Sequence, residues 1–262
     1  SERWQRAANP STPISIPFAS SKTRTGRRMA HLLIEFNTFT ILGRCARTGA
    51  LGVVTATGEM AVGSRVPFVR DGLGAVATQA LTDPRLGTKG LELLADGRDA
   101  SQVLNTLVDF DPHIEARQLG IVDATGQSAA RTGAKNSDWK GHKCGEGYVS
   151  MGNRLTSSDV VDAMADLFES TPELDLWERL MRAIEAGRDA GGQHGGQRSA
   201  AIYICENLGY PLVDLRADDY DEPVAELRRL YDLYVPRIPY YRRRAADPTI
   251  GPFSEWRESQ GL

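Results

Sequence analysis

Thr38-Phe39-Thr40-Ile41-Leu42-Gly43-Arg44, the turn Arg47-Thr48-Gly49 and then Leu51-Gly52-Val53-Val54-Thr55-Ala56 form the stretch that decides the fold. Residues 38–41 alternate polar and apolar side chains as a strand does, residues 51–56 are rich in Val and small residues, and the turn lies between them. That is the pattern of a β-hairpin. The small side chains suit a sheet covered on both faces, with neighbouring layers approaching closely. Thr38 opens the first strand. If the chain were cut after Asn37, the new terminus would carry a hydroxyl and a free α-amine on one residue, a nucleophile with its own general base.

Outward from the hairpin the pattern stays regular. A short segment over 61–69 leads to a strand at 73–78, then to a helix over 86–95 with Leu91 and Leu94 inward. A capping box at Asp99-Ala100-Ser101-Gln102 starts a second helix, which buries Val103, Leu104, Leu107 and Val108. Asp111-Pro112 breaks that helix. A second hairpin is expected at 116–123 and 127–132 around Thr125-Gly126, then a glycine-rich loop over 133–147 and a short strand at 148–151.

Two amphipathic helices follow. Ser158 caps one with the stripe Val160, Val161, Met164, Leu167 and Phe168. The other runs from Pro172 through Trp177, Leu180, Met181 and Ile184 to Gly187. Strands at 199–205 and 212–215, a helix at 223–234 and a basic, proline-punctuated tail complete the chain. Antiparallel hairpins interleaved with helix pairs argue against a parallel βαβ fold. They fit an α+β, four-layer αββα sandwich of two antiparallel sheets. The expected organisation is a leader, propeptide or non-native extension over 1–37, one αββα domain over 38–220, and a C-terminal helix and basic tail over 221–262.

With 41% hydrophobic and 25% charged residues the composition is that of an ordinary globular protein. The net charge of −3 is uneven, because Arg3, Arg6, Lys22, Arg24, Arg27 and Arg28 face only Glu2 and Glu35 in the first 37 residues. The body is therefore acidic, which argues against a nucleic-acid partner. No apolar run is long enough to span a bilayer. Cys45, Cys144 and Cys205 make no disulfide framework, and with His31, His113, His142 and His194 scattered, neither a metal site nor a cofactor is expected. The cytoplasm is the expected compartment. The aromatic tail (Tyr234, Tyr240, Tyr241, Phe253, Trp256), read as exposed, suggests a homodimer.

Several segments together resemble one family. They are Thr38-Phe39-Thr40-Ile41, Cys45-Ala46-Arg47-Thr48-Gly49, Ala61-Val62-Gly63-Ser64-Arg65-Val66-Pro67 and Gly74-Ala75-Val76-Ala77-Thr78-Gln79. Thr82-Asp83-Pro84-Arg85-Leu86-Gly87, Arg117-Gln118-Leu119-Gly120, Gly141-His142, Gly152-Asn153 and Glu222-Pro223-Val224-Ala225-Glu226-Leu227-Arg228 add to the likeness. The resemblance covers the chain from Thr38 onward. It is to an uncharacterised family grouped with the N-terminal nucleophile (Ntn) hydrolases. It implies an αββα fold and cleavage of a carbon–nitrogen amide bond by the first mature residue, which falls on Thr38. Asn37 rather than Met precedes that residue, so release would need autocatalysis or a protease. No lysine stands near Gly58-Glu59 to tune the nucleophile.

An N-terminal amine titrates near ~8 and can accept the hydroxyl proton directly or through one water. The ordinary reading of Thr38 is the first residue of a buried strand. Asn153 could supply an amide donor to an oxyanion, or could be a turn residue or cap. Thr57 ends the partner strand and could lie beside Thr38, or be structural. Gly63 and Ser64 would allow close backbone approach to a ligand. Glu59 and Arg65 could recognise a charged substrate end. Gln79, Asp83 and His142 could line the rim, although Asp83-Pro84 is equally a turn signal and His142 a loop residue. The expected partner is a small amide or peptide-like substrate. Two rival readings are a non-catalytic Ntn-fold binding protein with Thr38 unprocessed, and a hydrolase using Cys144.

Overall fold

The computed structural model describes residues 37–261, so the expected leader lies outside it except for Asn37. Strands β1 (Thr38–Arg44) and β2 (Leu51–Thr57) pair antiparallel from Thr38↔Thr57 to Arg44↔Leu51. A 3-10 turn at Val62–Ser64 leads to β3 (Pro67–Arg70) and β4 (Gly74–Ala80). Next come α1 (Pro84–Ala95), α2 (Ala100–Phe110) with the expected capping box, β5 (Arg117–Asp123) and β6 (Ser128–Thr132). The chain continues through β7 (Gly141–Gly145), β8 (Tyr148–Asn153), α3 (Asp159–Ser170) and α4 (Leu176–Asp189). It closes with β9 (Ser199–Cys205), β10 (Pro211–Ala217), α5 (Pro223–Tyr234), α6 (Ile238–Ala246) and α7 (Phe253–Ser259).

The strands form two antiparallel sheets, ordered β10-β9-β2-β1-β8-β7 and β3-β4-β5-β6. Side chains alternate between the faces of each strand, and this sorts the core into three layers. Phe39 and Ile41 join Met164, Phe168, Leu180 and Ile184 beneath α3 and α4. Leu42, Val53, Ala75, Ala77, Val122, Val149 and Met151 fill the space between the sheets. Val76, Leu119 and Ile121 pack on Leu86, Leu93, Val103 and Leu107 of α1 and α2. The architecture is the expected α+β, αββα sandwich. The sheets approach closely because Gly120 has no side chain; a Cβ there would stand 3.0 Å from Leu42 and 3.1 Å from Val149.

Several local expectations are corrected. The segment read as a loop over 133–147 contains β7, an edge strand of alternating half-buried and exposed residues paired to β8. Its polar composition reflects that exposed edge, so hydrophobic periodicity could not reveal it. Asn153 is the last residue of β8, not a turn or cap. Ser158 occupies the N-cap of α3 without a side-chain hydrogen bond. The fourth helix starts at Leu176 rather than Pro172, and Gly187 lies inside it. The tail folds into α6 and α7, with Tyr240 buried against Tyr241, Phe253 and Trp256. The aromatics pack on one another, and Tyr234, Tyr241, Phe253 and Trp256 are half-buried where full exposure was expected. No helix among the described residues is long and apolar enough to cross a membrane.

Candidate functional site

Because Thr38 and Thr40 share the face of Leu42, the layer between the sheets turns polar at one end. Thr38, Thr40, Thr55, Thr57, Gln79, Gln118 and Asn153 are all buried there. The register sets Thr38 between Thr57 of β2 and Asn153 of β8. Cross-strand partners of this kind present their side chains on the same face.

The hydroxyls form a short chain. Thr57 Oγ1 donates to the carbonyl oxygen of Asn37 at 2.6 Å, and lies 3.0 Å from Thr38 Oγ1. A threonine hydroxyl has one proton, so Thr38 is the donor in the Thr38–Thr57 pair. The backbone N–H of Gly58 also reaches the Asn37 carbonyl, at 3.3 Å. The Asn37 side chain is anchored as well: Nδ2 donates to the His194 carbonyl at 2.6 Å, and Oδ1 accepts from Gly58 N at 2.9 Å. Asn37 is only 5% exposed.

Behind Thr38 lies an amide network centred on Gln118. Its Oε1 accepts from Gln79 Nε2 at 2.7 Å and from Asn153 Nδ2 at 3.0 Å. Its Nε2 stands within 3.0 Å of Thr132 Oγ1 and of the carbonyls of Gly141 and Gly152. Gln79 also receives the Thr40 hydroxyl at 2.6 Å and reaches the Thr38 carbonyl at 3.5 Å. Asn153 Oδ1 is buried and accepts no hydrogen bond among the described residues.

In front of Thr38 opens a cavity of about 280 Å³ lined by Thr38, Thr57, Glu59, Met60, Val62, Arg65, Val66, Ala80, Leu81, Thr82 and Arg117. Glu59 and Arg65 bring opposite charges to it. Ala80 holds a left-handed backbone (φ 69) as β4 ends at the cavity wall, a conformation that costs a residue with a Cβ about 1 kcal/mol. Arg117 reaches the cavity while paired with Asp111 at 2.9 Å and, more loosely, with Asp83 at 4.0 Å.

Of the residues singled out from the sequence, Thr38, Thr57, Glu59 and Arg65 meet at the cavity. Asn153 and Gln79 lie in the network behind it. Asp83 does not line the cavity. It is the N-cap of α1, accepting from Arg85 N at 3.0 Å, and its hydrogen-bonded Arg85 guanidinium holds the carboxyl below its usual pKa. Ser64 is exposed and bonds the Ala61 carbonyl at 2.8 Å. Gly63 packs against Ala201 and Arg216. Neither lines the cavity, because the 3-10 turn directs only Val62, Arg65 and Val66 toward it. His142 sits on β7 and meets Thr132 at 2.9 Å, one step from Gln118; packing around its ring lowers its pKa.

Sequence reasoning missed Arg117, Thr82 and Gln118 as site residues, and Asn37 as a buried, anchored group. Gln118 had a readable signal. It falls on the same strand face as Gly120 and Val122, where a polar residue is out of place unless it is hydrogen-bonded.

The family model described as a family of unknown function, DUF1028, matches residues 38–227. A Silicibacter pomeroyi protein with a crystal structure, ascribed to the same family model, is 31% identical to this chain. That likeness covers 84% of this chain and 93% of the other, with a TM-score of 0.71. No curated protein matches the chain. The polar end of the sandwich, with Thr38 at its centre, therefore falls inside the matched region, and the chain belongs to the DUF1028 family of unknown function.

Proposed function

We propose that the protein is an N-terminal threonine amidohydrolase of the Ntn type, cleaving a C–N amide bond through an acyl-enzyme once Thr38 is exposed. The observation that carries this reading is the arrangement around one peptide bond. Thr57 Oγ1 and Gly58 N both donate to the Asn37 carbonyl, and the Thr38 hydroxyl donates to Thr57.

This arrangement suits self-cleavage without a strong base. As Thr38 Oγ1 bonds to the Asn37 carbonyl carbon, its proton passes to Thr57 Oγ1. The Thr57 proton passes to the former carbonyl oxygen, leaving a neutral tetrahedral intermediate. Transfer of that proton to the Thr38 nitrogen breaks the C–N bond and leaves an ester. Water then hydrolyses the ester, releasing the Asn37 carboxylate and freeing the Thr38 amine and hydroxyl. In later turnovers the amine takes the hydroxyl proton as Thr38 Oγ1 bonds to the substrate acyl carbon, passes that proton to the departing amine nitrogen as the C–N bond breaks, and, free again, activates water to hydrolyse the acyl-enzyme. Thr57 and Gly58 N serve the developing oxyanion each time. The cavity holds a small amide, with Glu59 and Arg65 placed to meet charged ends.

A second reading is a non-catalytic Ntn-fold small-molecule binding protein with the Asn37–Thr38 bond intact. The burial of Asn37 and its two side-chain hydrogen bonds favour it. Intact-mass measurement of the full chain over time separates the two. A species beginning at Thr38 that is absent from Thr38→Ala supports the hydrolase. A chain that keeps Asn37 in every preparation sinks it in favour of the binding protein.

A further inference from the structure

We infer that the cradle around the Asn37 side chain is the acyl-side specificity subsite, and that it selects asparaginyl amides, acyl groups carrying a primary carboxamide one methylene from the α-carbon. This rests on the reading of Thr38 as the nucleophile. In the intact chain Asn37 is the acyl group nearest the Thr38 hydroxyl, its carbonyl oxygen held by Thr57 Oγ1 and Gly58 N. A substrate acyl group attacked by the same hydroxyl, with its oxygen on the same donors, places its side chain where the Asn37 side chain now lies.

The chemistry of the cradle is directional. The Gly58 N–H is shared, its shorter contact, 2.9 Å, going to Oδ1 and its longer, 3.3 Å, to the carbonyl oxygen, and the His194 carbonyl accepts from Nδ2 at 2.6 Å. One donor beside one acceptor matches a primary carboxamide. A carboxylate would turn an oxygen toward the His194 carbonyl, and a methyl group would leave that carbonyl without its donor and the Gly58 N–H with only its longer contact, 3.3 Å, to the acyl oxygen. The fit is close. A Cβ on residue 58 would stand 2.4 Å from Asn37 Oδ1 and 2.9 Å from Nδ2, so an occupied cradle requires the glycine. On the other side Gly195 has a left-handed backbone (φ 87), and a Cβ there would stand 3.6 Å from Nδ2. Sites built to hydrogen-bond a substrate group reject analogues lacking it by factors of up to ~10⁴–10⁵.

The test uses the full chain. Wild type, Asn37→Asp and Asn37→Ala are followed by intact mass, and wild-type protein with Thr38 exposed is assayed on the p-nitroanilides of N-acetyl-asparagine, N-acetyl-aspartate and N-acetyl-alanine. Cleavage at least ~10-fold slower in both variants, and kcat/KM at least ~100-fold higher for the asparaginyl anilide, are expected. Equal turnover of the three anilides overturns the carboxamide subsite and leaves the nucleophile standing. Variants cleaved as fast as wild type overturn it too. A chain never cleaved at Asn37–Thr38 removes the nucleophile and the subsite together. The anilide series needs no substitution, so a variant that fails to fold does not rescue the proposal.

Discussion

Thr57 Oγ1 stands 3.0 Å from Thr38 Oγ1 while its own proton is committed to the Asn37 carbonyl at 2.6 Å. The direction of the Thr38–Thr57 bond is therefore fixed, and Thr57 is both proton acceptor and oxyanion donor. Thr57→Val keeps the shape of this buried strand residue and removes the hydroxyl. Loss of one oxyanion donor costs about 10²–10³ in rate, and the Asn37–Thr38 cleavage rate read by intact mass is expected to fall by that factor. Thr57→Ser restores the hydroxyl and should return most of the rate. Undiminished cleavage in Thr57→Val would remove Thr57 from the chemistry.

Gln118 acts from behind, through others. It is fully buried and supplies the acceptor for both Gln79 Nε2 and Asn153 Nδ2. Gln118→Leu leaves Asn153 Nδ2 without its acceptor and Gln79 Nε2 with only the Thr38 carbonyl at 3.5 Å in a buried layer, at roughly 1–3 kcal/mol for each group. A loss of about 2–5 kcal/mol in urea unfolding is expected, with an unchanged denaturant slope. A loss below about 1 kcal/mol would mean that water replaces the amide.

The two hairpins and the capping box of α2 were legible because periodicity, turn residues and helix-start chemistry agreed. β7 was not, since an exposed edge strand such as Gly141-His142-Lys143-Cys144-Gly145 buries too little to show a pattern. Thr38 and Thr57 could be placed together because a hairpin fixes register locally. Gln118 and Arg117 could not, because the other sheet brings them to the site, and sheet-on-sheet stacking leaves no signal at fixed sequence spacing. The cradle around Asn37 depends on the His194 carbonyl. A backbone group reports nothing through its residue type, and this one lies in the glycine-rich stretch between α4 and β9.

Cys144 is the rival nucleophile, exposed on β7. Desolvation of its sulfur, only partly offset by a hydrogen bond from Ser128, raises its pKa, so the thiol stays protonated at neutral pH. Thiolate attack requires the opposite shift. Cys144→Ser is expected to leave anilide turnover within about twofold of wild type. A collapse of turnover in this variant, with Thr38→Ala still active, would move the nucleophile to the cysteine.

Asp123 makes acid stability a measurable property of the second sheet. Its buried carboxylate accepts from Ala100 N at 3.1 Å, Thr125 N at 2.8 Å, Thr125 Oγ1 at 2.7 Å and Gln127 N at 3.1 Å, tying β5 to the start of α2. Desolvation works to raise its pKa, but these donors together outweigh it and the net shift is downward. A carboxyl whose folded pKa is depressed contributes stability that is fully present above the unfolded value, near ~3.9, and is lost as pH falls through the folded value. Wild type should therefore exceed Asp123→Asn in Tm from neutral pH down to about pH 4, with the difference closing below that. A difference that stays constant from pH 7 to pH 2 would show that the side chain acts through its shape and neutral hydrogen bonds, with no contribution from its charge.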